Sequence, residues 1–294
     1  MARSLGKRAL RERSRLFLAE GPQAVREALA GRPGQDPSAA RMRDLFVTAE
    51  AGSRHRDLVE AVRRSGTPVH EVSGELMAEL AQTVTPQGLL AICEFVDVPL
   101  AELISAGPRL AVVLANARDP GNAGTVLRTA DAAGAAGVVF AGASVDPYNS
   151  KCVRSSAGSL FHLRLVAGVP VADAVTALRG AGLAVLAADG NARCRLDDID
   201  RAGQLRAPTV WLFGNEAWGL PAELRALADE CVAVPIYGQA ESLNLAAAAA
   251  ICLYASARAQ HAAAGEAQEP PDIAGAPGVP LSHPDALGSG HVAL

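Results

Sequence analysis

The sequence predicts an α/β protein with a parallel sheet, and three observations support this fold class. Short apolar runs alternate with helical patterns along most of the chain, which is typical of strands joined by crossover helices. Half of the residues are hydrophobic and few are aromatic, so the core is expected to consist mainly of alanine, leucine and valine. Small and polar residues follow three of the predicted strands, within residues 116–128, 212–221 and 235–244. Because ligands bind at the carboxyl ends of strands in open α/β sheets, these three segments are expected to share one site.

The first hundred residues predict a small α/β module. Pro22 suits the first turn of a helix, because its fixed φ is helical and its missing N–H is not needed there. The strands are predicted at residues 15–19, 44–48, 68–72 and 89–95, and the helices at 23–30 and 54–65. A domain over residues 1–97 is therefore predicted. Glycine and proline in the next stretch predict a linker over residues 98–108.

A second domain is predicted over residues 109–262, where the alternation of strands and helices is stronger. Its strands are predicted at residues 110–114, 138–140, 183–187, 210–213 and 231–234. The alanine-rich segment Leu243–Ala259 predicts a helix with apolar residues on more than one face. Such a helix is either deeply buried or packed against a second chain. Residues 263–294 show no periodicity and predict a disordered tail.

Length and composition limit the class of the protein. A chain of 294 residues is long enough for two domains. No run of about 18 uncharged apolar residues occurs, so no membrane span is expected. Five widely spaced cysteines without a C-x-x-C pair favour reduced thiols in a cytoplasmic protein and argue against a disulfide framework. The histidines lack the spacing of metal ligands, so no metal is expected.

Charge is divided unevenly along the chain. Residues 1–64 carry 14 Arg and Lys against 8 Asp and Glu, a balance of +6. The remaining residues carry 13 against 23, a balance of −10, and the two balances make the net charge of −4. The basic end either contacts a polyanion or is an arginine-rich, solubilising surface, and charge alone supports both equally.

The first polar segment contains the turn Asp119-Pro120-Gly121-Asn122. Asn122 can cap the helix that follows, and Arg128 lies six residues further on that helix. One interpretation is a capped turn with a solvated arginine. The other brings Arg128 to the crevice, where its guanidinium fork matches a phosphate group.

The second and third segments follow apolar strands. Gly214 allows close approach to the backbone, and Glu216 is either an acid that suits a helix N-terminus or a site group. In the third segment, Ser242-Leu243-Asn244 is either an ordinary helix cap or part of the same site.

Together the three segments resemble the motifs of the SpoU (TrmH-like) RNA ribose 2'-O-methyltransferases. These motifs are Asn-x-Gly-x-x-x-Arg, Gly-x-Glu-x-x-Gly-Leu and Ser-Leu-Asn, and all three occur here in that order. The resemblance implies that the catalytic residues are Asn122, Arg128, Glu216, Ser242 and Asn244, with Glu216 bracing Arg128. It also implies the cofactor S-adenosyl-L-methionine, bound by residues Gly214, Val234, Ile236 and Leu243.

The resemblance carries expectations about architecture and partners. It implies a carboxyl-terminal α/β trefoil-knot (SPOUT) methyltransferase domain with a parallel sheet, preceded by a small α/β RNA-binding domain. Residues 17–22 and 85–90 resemble that substrate-binding domain. It further implies a homodimer, with the helix after Ser-Leu-Asn near the interface. Among the family's subgroups, the chain looks most similar to the ribosomal RNA enzymes, including those of thiostrepton resistance, and a tRNA substrate is the alternative.

The polar segment 149–159 resembles the part of the family that lies between the first motif and the cofactor strands. Lys151, Arg154 and Ser155 are therefore candidate RNA-binding residues, with phosphate groups as their partners. A polar loop closed by a serine cap explains the same residues almost as well.

Two rival functions were compared with this one. A dinucleotide-binding dehydrogenase requires G-x-G-x-x-G after a strand, whereas Gly121-Asn-Ala-Gly124 offers Gly-x-x-Gly. A non-catalytic RNA-binding protein on the same scaffold would be favoured if motif residues were replaced. Asn122, Arg128 and Asn244 are all present, as is Glu216.

Overall fold

The computed structural model describes residues 2–31, 42–81, 83 and 85–263. These residues form two sheets, each with its own helices. The tail predicted at residues 263–294 lies outside the described residues, apart from Ala263 at its start. Within the described part of the chain, no helix has both the length and the apolar character needed to cross a membrane.

The first sheet has four strands in the order β1-β4-β2-β3. The strands are β1 Leu16–Glu20, β2 Met42–Thr48, β3 Val69–Val72 and β4 Leu89–Glu94. The helices are α1 Arg8–Ser14, α2 Pro22–Ala30, α3 Ala49–Arg54, α4 Arg56–Arg64 and α5 Gly74–Leu80. β4 pairs antiparallel with β1 and β2, and β2 pairs parallel with β3. All four strands coincide with predicted strands to within a few residues.

The second sheet has seven strands, and every pairing within it is parallel. The strands are β5 Leu110–Ala115, β6 Gly137–Ala141, β7 Arg164–Val169, β8 Ala184–Ala188, β9 Cys194–Arg195, β10 Thr209–Phe213 and β11 Glu230–Ala233. Their order is β7-β6-β5-β10-β8-β11-β9. The sequence did not predict the two edge strands, because β7 contains a glycine and β9 has only two residues.

Helices cover both faces of the parallel sheet. They are α6 Leu100–Ser105, α7 Pro120–Ala132, α8 Ser150–Ser155, α9 Val171–Gly180, α10 Leu196–Arg201, α11 Ala222–Arg225 and α12 Leu245–Ala263. α7 and α12 pack against one another and against the face of the sheet that carries Trp211 and Phe213. α12 buries Ala246, Ala249 and Leu253 but exposes Ile251 and Tyr254, so it is only partly buried within this chain.

The segment predicted as a linker contains α6 instead. Leu103 of this helix is fully buried in the core of the second sheet. The amide of Val98 donates to the carbonyl of Leu165 at 2.8 Å, which ties the segment to β7. Leu100, Leu103 and Ile104 have helical spacing, but the flanking glycine and prolines masked this signal in the sequence. The segment is therefore anchored to the core by the buried side chains of Val98 and Leu103, although much of the rest of it is exposed.

The two sheets meet across an interface of buried polar contacts and aromatic side chains. Arg11 on α1 donates from Nη2 to Oδ2 of Asp146 at 2.6 Å, and both side chains are buried. The Tyr148 hydroxyl accepts from the amides of Val96 and Asp97, each at 2.8 Å, and donates to the Asp97 carboxylate at 2.7 Å. Around these polar contacts lies an aromatic cluster formed by Phe17, Phe95, Tyr148 and Phe161.

His162 forms a second connection between the two halves. Its Nε2 lies 3.0 Å from Oε2 of Glu27 on α2, and its Nδ1 lies 2.8 Å from Oδ2 of Asp131 on α7. Partial burial disfavours the charged ring, but the hydrogen bonds to Asp131 and Glu27 outweigh this effect and raise the pKa of His162. An imidazolium can donate from both nitrogens, so the protonated ring joins the two carboxylates.

Candidate active site

The three polar segments meet at the carboxyl ends of neighbouring strands, as expected from the sequence. β5 ends at Ala115, and the next residue, Asn116, has a positive φ of 60° that turns the chain away from the sheet. The Asn116 carbonyl accepts a hydrogen bond from Nδ2 of Asn215 at 2.9 Å. Asn215 is buried and directly follows Gly214 after β10. A hydrogen bond from a side chain to the backbone therefore fixes the first segment against the second.

Glu216 holds the first segment in place through its carboxylate. Oε2 accepts from the amide of Arg118 at 3.1 Å, and Oε1 accepts from the amide of Asp119 at 3.2 Å. A third, longer bond of 3.4 Å comes from Nδ2 of Asn122. The expected brace between Glu216 and Arg128 is not observed. Arg128 lies exposed on α7 and has no ion pair with any described residue.

Asn122 and Asn244 join the first segment to the third. Nδ2 of Asn244 donates to Oδ1 of Asn122 at 3.0 Å, across 122 positions of sequence. Oδ1 of Asn244 accepts from the amide of Ala246 at 2.8 Å and so caps the first turn of α12. The helix accordingly begins after Asn244 rather than at Leu243. The helix cap and the site residue, which were the two interpretations of Ser-Leu-Asn, are therefore the same residue: Asn244 does both.

The loop after β10 is a tight turn closed by its own backbone. Asn215 and Gly219 exchange backbone hydrogen bonds of 3.0 and 2.9 Å, and Oδ1 of Asn215 accepts from the amide of Ala217 at 2.8 Å. A Cβ atom on Gly214 would lie 2.7 Å from the amide nitrogen of Leu220. A glycine is therefore required at position 214, because the backbone of Gly219 and Leu220 leaves no room for a side chain. This loop exposes Trp218, which is 61% accessible.

A cavity of about 680 Å³ lies between the ends of β8, β10 and β11. Its lining includes all four residues predicted to bind the cofactor, together with Ser242. Apolar side chains contribute much of the wall, and Ile236 and Leu243 each remain 37% exposed there. A volume of this size suits a ligand as large as a nucleoside derivative.

Several residues that line this cavity were not predicted from the sequence. Asp189 and Asn191 follow β8, and Oδ2 of Asp189 lies 3.0 Å from Nη1 of Arg225. Trp218 lines the cavity from the loop after β10. The signal for Asp189 and Asn191 was available, because Asp-Gly-Asn after an apolar strand is the same pattern as the other three junctions.

A shallower cavity of about 470 Å³ adjoins the first. Five residues line both cavities, namely Asn215, Glu216, Ala217, Trp218 and Asn244. The shallower cavity is also lined by Arg118, Asp119 and Asn122. The hydrogen-bonded set Asn122, Glu216 and Asn244 therefore stands where the two cavities meet, whereas Arg128 lines neither of them.

The three candidate RNA-binding residues lie in different surroundings. Nζ of Lys151 donates to Oδ2 of Asp119 at 2.8 Å, beside the shallower cavity. Hydrogen bonds from Lys151 and from the amide of Asn122 lower the pKa of Asp119, so this carboxylate stays ionised. Arg154 instead faces Glu20 of the first sheet, 3.6 Å from its carboxylate. The Ser155 hydroxyl donates to the Lys151 carbonyl within α8 at 2.8 Å.

Comparison with known protein families gives two matches. The model of the SpoU rRNA Methylase family matches residues 109–254. The model of the MRM3-like substrate binding domain matches residues 1–91. The chain is 34% identical over 261 residues to the 23S rRNA (uridine(2479)-2'-O)-methyltransferase of Streptomyces viridochromogenes, which covers 86% of each chain. It is 32% identical to the 23S rRNA (guanosine(2553)-2'-O)-methyltransferase RlmP of Bacillus subtilis, covering 83% of this chain and 89% of RlmP.

Solved structures lead to the same family. The AdoMet-bound rRNA methyltransferase from Sinorhizobium meliloti has a TM-score of 0.72 and 30% identity, covering 87% of this chain and 92% of that one. The SpoU methyltransferase AviRb from Streptomyces viridochromogenes, in complex with AdoMet, has a TM-score of 0.71 and 34% identity, with 88% and 96% covered. Sequence motifs, parallel sheet and these similarities agree, and the chain belongs to the SpoU rRNA methylase family.

Proposed function

We propose that this protein transfers the methyl group of S-adenosyl-L-methionine to a ribose 2'-hydroxyl of ribosomal RNA. The observation that carries the proposal is the hydrogen-bonded set Asn122, Glu216 and Asn244 at the junction of two cavities. Relatives that match most of the chain are named as 23S rRNA 2'-O-methyltransferases, which favours ribosomal RNA over tRNA.

The larger cavity fits the cofactor by size and by chemistry. Val234, Ile236 and Leu243 offer apolar surface for an adenine ring, and the partly exposed Ile236 and Leu243 would be covered by it. Asp189 and Ser242 add polar groups for the ribose and the amino acid part. S-adenosyl-L-methionine supplies an activated methyl group on a sulfonium, and no metal is needed for its transfer.

The protein's contribution to the rate is mainly positioning. Displacement at a methyl carbon requires the attacking oxygen, the carbon and the sulfur to be nearly collinear, so small displacements are costly. Glu216 fixes the backbone of Arg118 and Asp119, and Nδ2 of Asn244 fixes the side chain of Asn122 through its Oδ1. We assign the shallower cavity to the ribose. The contacts just described fix its wall relative to the larger cavity.

Arg128 is assigned to a phosphate group next to the target ribose. A guanidinium keeps its proton and its charge in proteins, so it is unsuited to take the proton from the hydroxyl. Arg128 lines neither cavity, so its charge acts on the hydroxyl through the bound phosphate group, and a phosphate oxygen or water accepts the proton. Its exposure on α7, without an ion pair to any described residue, leaves the fork available for RNA.

Arg128→Lys tests this assignment. The lysine keeps the charge but loses the bidentate fork, so we expect kcat/KM for RNA to fall by about 10-fold or more while binding of the cofactor is unchanged. Steady-state methylation assays and calorimetric titration of the cofactor measure the two quantities. A nearly normal rate for the lysine variant would show that the fork has no role.

We further propose that the protein acts as a cytoplasmic homodimer and that its methyltransferase domain is knotted as in its family. α12 exposes Ile251 and Tyr254 one turn apart, with Ala247 on the same side, which is an apolar stripe suited to a second copy. Ultracentrifugation tests the dimer. A monomer at micromolar concentration would contradict it.

The function itself is tested with labelled S-adenosyl-L-methionine and total ribosomal RNA and tRNA. We expect label in ribosomal RNA, resistant to removal of the base because it lies on a ribose. Label confined to tRNA would give the protein the other substrate, and label on a base would refute 2'-O transfer. Binding of RNA without binding of the cofactor would indicate a non-catalytic protein.

A further inference from the structure

Trp218 is the large exposed aromatic residue nearest to the proposed chemistry. The residue is 61% accessible, although burial of a tryptophan is strongly favourable. It lines both cavities and is next but one to Glu216 in the sequence. The sequence motifs do not account for it, since it occupies an unspecified position of Gly-x-Glu-x-x-Gly-Leu.

The loop that carries Trp218 is held firmly. Asn215 and Gly219 pair through their backbones on either side of it, and Nδ2 of Asn215 anchors the loop to the Asn116 carbonyl. The indole is therefore presented at a defined place with little freedom of the backbone. An exposed, flat indole on a fixed loop is suited to stacking against a planar ligand that binds from the solvent.

The shallower cavity favours one kind of ligand for this indole. Its other lining residues are polar or charged, apart from the small Ala217. Trp218 is thus the one large apolar surface beside a set of amides and carboxylates. The larger cavity already has apolar walls from Val234, Ile236 and Leu243, so an adenine there does not depend on the indole.

We propose that Trp218 stacks on the base of the nucleotide whose ribose is methylated, and so selects an unpaired or flipped-out nucleotide. This inference rests on the proposed function. RNA bases that leave a helix are commonly stacked on aromatic side chains, and the interaction tolerates any base because each has a π-face. Stacking would hold the nucleotide while its ribose lies beside Asn122 and Asn244.

Kinetics of Trp218→Phe, Trp218→Leu and Trp218→Ala on an unmodified 23S rRNA transcript test the proposal. Alanine and leucine should raise KM for RNA by about 10-fold or more, because stacking on a base contributes on this order, and phenylalanine should retain most of the affinity. The KM for S-adenosyl-L-methionine should stay unchanged in all three. Tyr237→Ala, which removes an 83% exposed aromatic ring that lines neither cavity, is the matched control.

Fluorescence supplies an independent measurement. The chain has two tryptophans, and Trp211 is fully buried with its Nε1 bonded to Ser256. The transcript should quench the emission of the exposed Trp218 in the wild type but not in Trp218→Phe. Quenching by the cofactor alone would mean that the indole stacks on adenine, which overturns the proposal.

Other outcomes are equally decisive. If Trp218→Leu retains RNA affinity as well as Trp218→Phe does, simple apolar packing explains the role of the residue and the stacking proposal is wrong. If Trp218→Ala changes the oligomeric state in ultracentrifugation, the indole belongs to a subunit contact and the proposal fails. If the wild type methylates ribose normally and no variant alters KM for RNA, the proposed function stands while this inference is refuted.

Discussion

At the scale of residues, the site depends on side chains that each perform two tasks. Asn244 caps α12 through Oδ1 and contacts Asn122 through Nδ2, so one amide connects helix stability to the geometry of the site. Glu216 is similar, since its carboxylate binds two backbone amides while it also lines both cavities. The sequence motif indicates which residues matter, but only the hydrogen bonds show what each atom does.

Variants of Asn244 separate these two tasks. Asn244→Asp keeps an oxygen that caps α12 but loses the N–H that reaches Asn122. We expect it to retain the free energy of unfolding while kcat falls by about 100-fold, because positioning of the site is lost. Asn244→Ala loses the cap as well and should be less stable by about 1 kcal/mol. Chemical denaturation and methylation assays measure both. An aspartate variant with full activity would show that the contact to Asn122 is dispensable.

At the scale of elements, the packing of α7 on α8 has little tolerance. Gly124 on α7 lies so close to α8 that an added Cβ atom would overlap the Ser155 hydroxyl and the Cys152 carbonyl. This close approach brings Lys151 over the first turn of α7, where it meets Asp119. The glycine in the first motif is therefore explained by helix packing.

Gly124→Ala should disturb this packing. Because the contact includes a backbone carbonyl that cannot move freely, we expect a loss of about 1–3 kcal/mol in the free energy of unfolding, with reduced activity. The matched control is Gly180→Ala at the end of α9, where an added Cβ meets no atom within 4 Å. That variant should be as stable as the wild type or slightly more so. Equal thermal melting temperatures for the two variants would contradict the packing explanation.

Most elements could be predicted from the sequence, and the failures have physical causes. The central strands β5, β10 and β8 are continuous apolar runs, so their signal is strong. Edge strand β7 is interrupted by Gly168, and α6 is hidden between proline and glycine. In the site, motifs identified Asn122 and Asn244, but the partners of Glu216 are backbone amides, which no residue pattern encodes. The brace to Arg128 was an expectation drawn from the family resemblance, and the backbone amides take its place.

In the molecule as a unit, His162 makes the stability of the contact between the two halves dependent on pH. Its pKa is raised in the folded protein, so the native state binds a proton more tightly than the unfolded chain does. The stabilisation is fully present below about pH 6.5, the value for an unperturbed histidine, and is lost as pH rises through the folded pKa. Glu27 and Asp131 are then left facing a neutral ring.

Denaturation at a series of pH values tests this connection. We expect the wild type to lose stability as pH rises from about 6.5, and His162→Gln to lack this part of the dependence. The glutamine variant should be less stable than the wild type at low pH and approach it at high pH. Parallel curves for the two proteins would show that His162 does not titrate between the halves.

The buried Arg11–Asp146 pair and the Tyr148 hydroxyl have a consequence for the choice of substrate. These buried contacts oppose sliding or hinging of the two halves, so we expect little variation in the span between the half that matches a substrate-binding model and the methyl-transfer cleft. An RNA must then offer its anchoring feature and its acceptor sugar at one separation and one relative angle. We therefore expect distance to act as a criterion of selection in its own right, so that a target with the correct bases but the wrong spacing is methylated poorly.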